Sequence, residues 1–198
     1  MIDYRFFYWG PLLFCSKVKT KDIQKIKKLC KKDPKKSHVK YLAGDIKDEY
    51  VIDNKVLNKI LSSHLDAFRQ AHKHWYNKDL SSLIINQAWV NYMKPKDYNP
   101  IHTHGSCDFS GVLYIDIPKK LQKEMSEYKG TSDGPASILF LYGEESPQNI
   151  TSKFSIPVVG DFYLFPHTLR HMVNPHKSDC ERVSIGINLA IKGGIHDK

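Results

Sequence analysis

A chain of 198 residues is long enough to bury a proper core and most naturally forms one domain. The opening MIDYRFFYWGPLLFC lacks a positively charged leader followed by a long apolar stretch, and no segment approaches about 18 uncharged apolar residues, which argues against a signal peptide and a membrane span and predicts a soluble, cytoplasmic protein. The formal charge of +9 resides between Lys17 and Lys40, where 11 lysines stand against Asp22 and Asp33, so the remainder is neutral.

That lysine segment offers a surface for an acidic partner, although solvation alone explains lysines without aromatic platforms or arginine forks beside them. Cys15, Cys30, Cys107 and Cys180 form no CxxC pair, so free thiols explain them better than a disulfide framework or a zinc knuckle. Cys107 alone lies near the candidate site described below.

In chain order, residues 2 to 15 are aromatic and apolar enough to pair with a sheet, with Gly10-Pro11 as an interruption. After Thr20, the spacing of Ile23, Ile26, Leu29 and Cys30 predicts a short helix that Asp33-Pro34 stops. A stronger helix begins at Asp53 or Asn54, either of which can cap it. Its stripe is Val56, Leu57, Ile60, Leu61, Leu65, Phe68 and Trp75. His64, His72 and His74 on that helix read as structural.

From Leu83 the period changes from helical to alternating. One face carries Ile84, Asn86, Ala88, Val90 and Tyr92; the other carries Ile85, Gln87, Trp89, Asn91 and Met93. Short β-branched or aromatic runs follow at 110–117, 136–142, 154–158, 161–165, 171–174 and 183–191, separated by Gly, Pro and Asn. The pattern predicts an all-β barrel or sandwich with helices outside, residues 1–82 as a strand and helical support region and 83–198 as the β core.

No GxGxxG, GxxxxGK[ST] or HExxH occurs, so nucleotide-fold, P-loop and zinc-protease chemistry lack their local signatures. Neither a zinc-finger spacing nor an aromatic RNA-binding signature marks nucleic-acid recognition.

One constellation carries chemistry. His102 and His104, at i and i+2, project to one side of an extended chain, and a barrel can bring His171 beside them, so the three can hold one metal ion. Arg182, Ser184, Gly186 and Asn188 share one strand parity. An arginine fork with a serine hydroxyl beside it suits the carboxylate of an anionic organic co-substrate.

The stretches NPIHTHGSCDFSGVLYIDIP, GDFYLFPHTLRHMVNPH and ERVSIGIN, spanning about Trp89 to Asn188, resemble the non-haem Fe(II) and 2-oxoglutarate dioxygenases, specifically the small bacterial and phage group related to prolyl 4-hydroxylases. The resemblance implies a mainly β, double-stranded β-helix (jelly-roll, cupin-like) core with N-terminal helices packed outside. It implies Fe(II) on His102, His104 and His171, with Arg182 on the remote carboxylate of 2-oxoglutarate and Ser184 and Tyr114 assisting. It further implies molecular oxygen as co-substrate and hydroxylation of a protein side chain, prolyl among the candidates, or of a small molecule; if a phage encodes the chain, the compartment is the host cytoplasm.

Three points stay open at this level. The broader superfamily has HxD or HxE where this chain has HxH, so Asp108, four residues after His104, is a rival ligand, and two histidines with water is a further alternative. Tyr114 would equally fill a barrel core. Asn86, Trp89 and Asn91 are candidates for the substrate side, but parity does not distinguish inward from outward. His167 reads as a loop residue, with iron on His171 instead, and His176 and His196 have no comparable case. The competing functions are a cupin-like metalloenzyme that does not use 2-oxoglutarate and a noncatalytic β-barrel that binds an acidic partner through Lys17–Lys40.

Overall fold

The computed structural model describes residues 10–39 and 43–197. Two antiparallel sheets face each other. The larger has the order β1 (Phe14–Lys17), β8 (Asp161–Pro166), β5 (Phe109–Asp116), β10 (Arg182–Ile191), β3 (Leu83–Met93), β2 (Glu49–Val51). The smaller has β4 (Asn99–His102), β9 (Arg170–Val173), β6 (Ile138–Leu141), β7 (Ser152–Ser155). This mainly β, jelly-roll arrangement is the expected fold class. Of the aromatic segment 2–15, residues 2–9 lie outside the described residues, while Phe14 and Cys15 open β1.

Strands β1 and β2, from the N-terminal part of the chain, form the two edges of the larger sheet. The helices α1 (Thr20–Lys27) and α2 (Asn54–Tyr76) cover its outer face. Asp53, not Asn54, caps α2: its carboxylate accepts the Lys55 backbone N–H at 2.8 Å. Asn77, in the left-handed region at φ 52°, ends the helix. Leu57, Leu61, Leu65 and Phe68 bury their side chains against Ile85, Val90, Ile185, Ile187 and Leu189, whereas Val56 turns to solvent. Burying side chains of this size contributes roughly 1.5–3 kcal/mol each, which is what fastens the helical layer to the sheet.

A third helix, α3 (Lys119–Glu127), occurs where the sequence had suggested only a connection between strands. Leu121 and Met125, four residues apart, pack it against Ile117 and Ala136. A separate buried cluster of Ile138, Phe140, Phe165 and Leu169 joins β6 of the smaller sheet to β8 of the larger.

The expected parity of β3 is correct from Gln87 onward and fails before it. The register of β10 with β3 slips between Asn188 and Leu189, leaving Asn86 as the extra residue of a bulge. Gln87, Trp89 and Asn91 therefore face the interior between the sheets, while Leu83 and Ile85 share the helix-covered face with Ala88, Val90 and Tyr92. Asn86 itself is turned away, donating to the carbonyl oxygens of Ser106 and His196.

The lysine-rich segment is partly neutralised by the chain's own acids: Lys17 pairs with Asp161, Lys25 with Asp22, Lys27 with Asp116 and Lys32 with Glu181. All four cysteines are free thiols. Burial, aided by Asp108, pushes the Cys107 thiol up to about 11, which removes it as a nucleophile near neutral pH. No helix among the described residues is long and apolar enough to cross a membrane.

Candidate active site

Antiparallel pairing of β4 with β9 places His102 directly opposite His171. The chain then leaves β4, and the backbone N–H of His104 donates to the His167 carbonyl oxygen at 3.0 Å, while His167 Nδ1 donates to the His104 carbonyl oxygen at 2.7 Å. This reciprocal clamp fixes the loop that carries His104. His167 thus supports the His104 loop.

The three imidazoles converge. One ring nitrogen from each of His102, His104 and His171 lies within 4.8 Å of the others. His102 Nδ1 donates to the Pro100 carbonyl oxygen at 2.7 Å and His171 Nδ1 to that of Leu169 at 2.8 Å, which makes Nε2 the lone-pair nitrogen of both rings, with the Asn99 amide 3.5 Å from that of His102. His104 Nε2 and His171 Nε2 are 3.3 Å apart. Two nitrogens each about 2.1 Å from a shared ion would be separated by about this much. Burial, reinforced by the neighbouring imidazoles, lowers His104 to about 4 and His171 to about 3, and burial lowers His102 as well. All three rings are then neutral at pH 7, the form a metal needs.

The rival carboxylate is engaged elsewhere. Asp108 Oδ2 accepts the Ile191 backbone N–H at 2.8 Å, at the far end of β10, and Asp108 is outside the histidine cluster.

Beside the histidines a cavity runs between the sheets, lined by Asn91, Tyr114, Arg182 and Ser184 among others, with an empty volume of about 520 Å3. Arg182 is 2% exposed. Its Nη1 donates to the Ala136 carbonyl oxygen at 3.0 Å, its Nε has no partner, and its guanidinium lies 5.6 Å from the centre of the Tyr114 ring. The Tyr114 hydroxyl is likewise buried without a partner, and burial pushes it up to about 12, so it remains a donor. A buried guanidinium facing a cavity with two unused donors is costly unless an anion enters, and a carboxylate satisfies both charge and hydrogen bonds. These residues fit 2-oxoglutarate, and the neutral histidine set fits Fe(II).

A second cavity adjoins the first at the histidines. It has an empty volume of about 790 Å3 and shares Trp89, Asn99, His102 and His104 with the first. Its further walls include His38, Gln87, Thr103 and Asn188. Gln87, Asn188 and Ser110 are cross-strand neighbours joined side chain to side chain, Asn188 Nδ2 to Gln87 Oε1 at 3.2 Å and Ser110 Oγ to Asn188 Oδ1 at 3.3 Å. The Trp89 ring lies over Gly186, where a Cβ would stand 2.4 Å from it, and stacks on His38 at 5.1 Å and 24°. Only glycine allows that overlay.

The sequence had not singled out His38, Gln87, Ser110, Asn188 or Glu49. For Gln87 and Asn188 a signal existed: once Arg182 is taken to face the interior, Asn188 shares its parity, and β3 residues paired with that face follow. Nothing in the sequence links His38 to Trp89.

Comparison with known proteins follows the geometry. The crystal structure of a Pseudomonas putida prolyl-4-hydroxylase matches with a TM-score of 0.55 at 13% identity, over 90% of this chain and 91% of that one. The viral collagen prolyl hydroxylase of Paramecium bursaria Chlorella virus-1, solved with 2-oxoglutarate, matches with 0.56 at 13% identity, over 89% and 94%. A Trichoplax adhaerens prolyl hydroxylase, solved with a peptide fragment of the hypoxia inducible factor oxygen degradation domain, matches with 0.54 at 12% identity, over 93% and 85%. Likeness at these identities is a likeness of fold. No curated protein is significantly similar to the chain in sequence. A family model for 2OG-Fe(II) oxygenases matches residues 87–188, about half of the chain, a span that includes His102, His104, Tyr114, His171, Arg182 and Ser184. That match decides against the two competing functions, and the chain belongs to the 2OG-Fe(II) oxygenase family, as an oxygenase that uses Fe(II), 2-oxoglutarate and molecular oxygen.

Proposed function

We propose that the chain is a hydroxylase in which His102, His104 and His171 hold Fe(II), and that its substrate is a protein side chain, prolyl ahead of other residues and of free small molecules. The observation that carries the site assignment is the convergence of three neutral imidazoles beside a buried arginine whose Nε has no partner. When bound, Fe(II) with 2-oxoglutarate and O2 supplies the oxidation of a C–H to a C–OH group, the co-substrate leaving as succinate and CO2.

The residues of the chain position and exclude. Arg182 takes the remote carboxylate through its planar fork, with Ser184 and the Tyr114 hydroxyl donating from adjacent strands. Leu169 and Pro100 carbonyl oxygens orient the ligand imidazoles through their Nδ1–H groups. The aromatic pair Trp89 and His38, with the Gln87–Asn188 amides, lines the second cavity, a neutral, amide-rich wall suited to a peptide backbone. The peptide carried by the Trichoplax adhaerens neighbour supports a protein substrate in a fold of this kind.

Incubation of the Fe(II)-loaded protein with 2-oxoglutarate, O2 and proline-containing peptide libraries tests this reading by mass spectrometry. The expected result is addition of one oxygen atom to a peptide, matched by succinate. Succinate formation coupled only to oxidation of a small molecule would remove the protein substrate, and a coupled change other than oxygen addition would remove hydroxylation.

A further inference from the structure

One polar group near the co-substrate cavity has no role in the reading above. Glu49 on β2 is the cross-strand partner of Asn91 on β3; Asn91 is the partner of Ser184 on β10, and Ser184 that of Tyr114 on β5. Directly opposed residues project to the same side of a sheet, so the four side chains form one row running from the sheet edge into the Arg182 cavity. Three atoms of this row are buried without a hydrogen-bond partner: Glu49 Oε2, Asn91 Oδ1 and the Tyr114 hydroxyl.

Glu49 is 1% exposed. On its own strand and beside it, Asp48 and Tyr50 bond to each other, and Asp48 pairs with Lys94 and Lys32. His38 gives its backbone N–H to the Glu49 carbonyl oxygen, not to the side chain. Among the described residues no cation acts on the Glu49 carboxyl, and burial is the sole cause of its perturbation. With the Asn91 amide oriented as it is, the two unpartnered oxygens of this cross-strand pair would both be acceptors if Glu49 were ionised. A single proton removes that conflict.

We propose that Glu49 is a positioning residue for the co-substrate: as a neutral carboxylic acid it donates its O–H to Asn91 Oδ1, so that the Asn91 amide presents its N–H group to the 2-oxoglutarate carboxylate beside Arg182 and Ser184. The proposal rests on the reading of Arg182 and Ser184 as the carboxylate clamp. It adds Asn91 as a further donor and explains why an acid is kept without a cation in the second row of the cavity. Burial raises Glu49 to about 8. The donor is therefore present at pH 7 and lost as the pH rises through about 8. The other titratable members of the cavity do not interfere there, since Tyr114 is held at about 12 and Arg182 stays a cation.

The test is anaerobic calorimetry of 2-oxoglutarate binding to full-length, Mn(II)-loaded protein between about pH 6.5 and 9.5, with metal stoichiometry and circular dichroism recorded for each variant. In wild type, affinity should fall about tenfold across the transition near pH 8. Glu49→Gln, which keeps a donor that does not ionise, should hold the low-pH affinity throughout. Glu49→Leu and Asn91→Ala should each bind about tenfold more weakly at pH 6.5 without the transition, and their double variant no more weakly than either.

The proposal is overturned by a Glu49→Gln profile that falls like wild type, by an unchanged affinity in Glu49→Leu, or by additive losses in the double variant. Should Glu49→Leu not fold, the comparison of wild type with the isosteric Gln variant still decides. If wild type fails to bind 2-oxoglutarate, or binds it without dependence on Arg182, the clamp reading itself fails, a result distinct from a Glu49 variant that leaves an Arg182-dependent affinity intact.

Discussion

His102 and His171 oppose each other across the β4–β9 ladder, and each anchors its Nδ1 on a backbone carbonyl two residues earlier, Pro100 and Leu169. Two of the three imidazoles are therefore held by main-chain hydrogen bonds, from within β4 and from the residue before β9, independent of any ion. The third, His104, depends on the loop clamp from His167.

Replacing His102, His104 or His171 by Ala should each abolish stoichiometric Fe(II) binding in anaerobic titration while the far-ultraviolet circular dichroism stays that of wild type. Asp108→Ala should keep the iron. Its carboxylate instead bonds the Ile191 N–H, so its loss should cost about 1–3 kcal/mol of stability. Retention of full iron in all three histidine variants would reject the triad.

Arg182→Lys keeps the charge and loses the planar fork and the buried, unpartnered Nε donor. Loss of such a buried charge-assisted contact costs roughly 2–5 kcal/mol, so 2-oxoglutarate affinity should drop by well over tenfold. The charge-transfer band of the Fe(II) complex, titrated anaerobically in both proteins, reads this directly. An unchanged midpoint in the variant would take Arg182 out of the clamp.

Gly186→Ala drives a methyl group to within 2.4 Å of the Trp89 ring. The ring cannot leave easily, since it is stacked on His38 and lies 5.9 Å from His104. Overpacking of this kind costs about 1–3 kcal/mol, which should appear as a lower melting temperature together with weakened Fe(II) affinity through the displaced His104. A variant as stable as wild type, with unaltered metal affinity, would show that the Trp89 overlay is not needed.

Glu49 also makes stability depend on pH. Its folded-state value of about 8 lies above its ordinary 4.5, so the native state holds a proton that the unfolded chain releases. That contribution is complete below about pH 4.5 and is lost as the pH rises towards about 8, a span that corresponds to roughly 3–5 kcal/mol. Glu49→Gln lacks the titration. Its advantage over wild type in chemical denaturation should grow from about pH 5 to about pH 8 and then level off, and a constant difference across that range would contradict the buried neutral acid.

The change of period at Leu83, the Arg182-Ser184-Gly186-Asn188 parity and the HxH pair were all legible because alternation is a local property: each residue's side follows from its neighbours along the chain. The first places where that reading failed are those where the alternation is interrupted by something non-local. The bulge at Asn86 exists because β3 and β10 differ by one residue over their pairing, and it moves Leu83 and Ile85 onto the helix face. The same slip sends Asn86 away from the site while Trp89 and Asn91 remain inside.

The sequence by itself determined the residue types of the candidate site, the mainly β architecture, the helical outer layer and the family resemblance, since these rest on motifs, spacing and local periodicity. Only the tertiary structure decided that Asp108 caps β10 instead of joining the histidines, that His38 stacks on Trp89 beneath a glycine, and that Glu49 ends a polar row reaching Tyr114. Those relationships are made by strand pairing between residues tens of positions apart, and by the burial that pairing imposes. An acid such as Glu49 is unremarkable in a string of letters; it becomes a neutral group with a direction only when the β2–β3 ladder removes it from water.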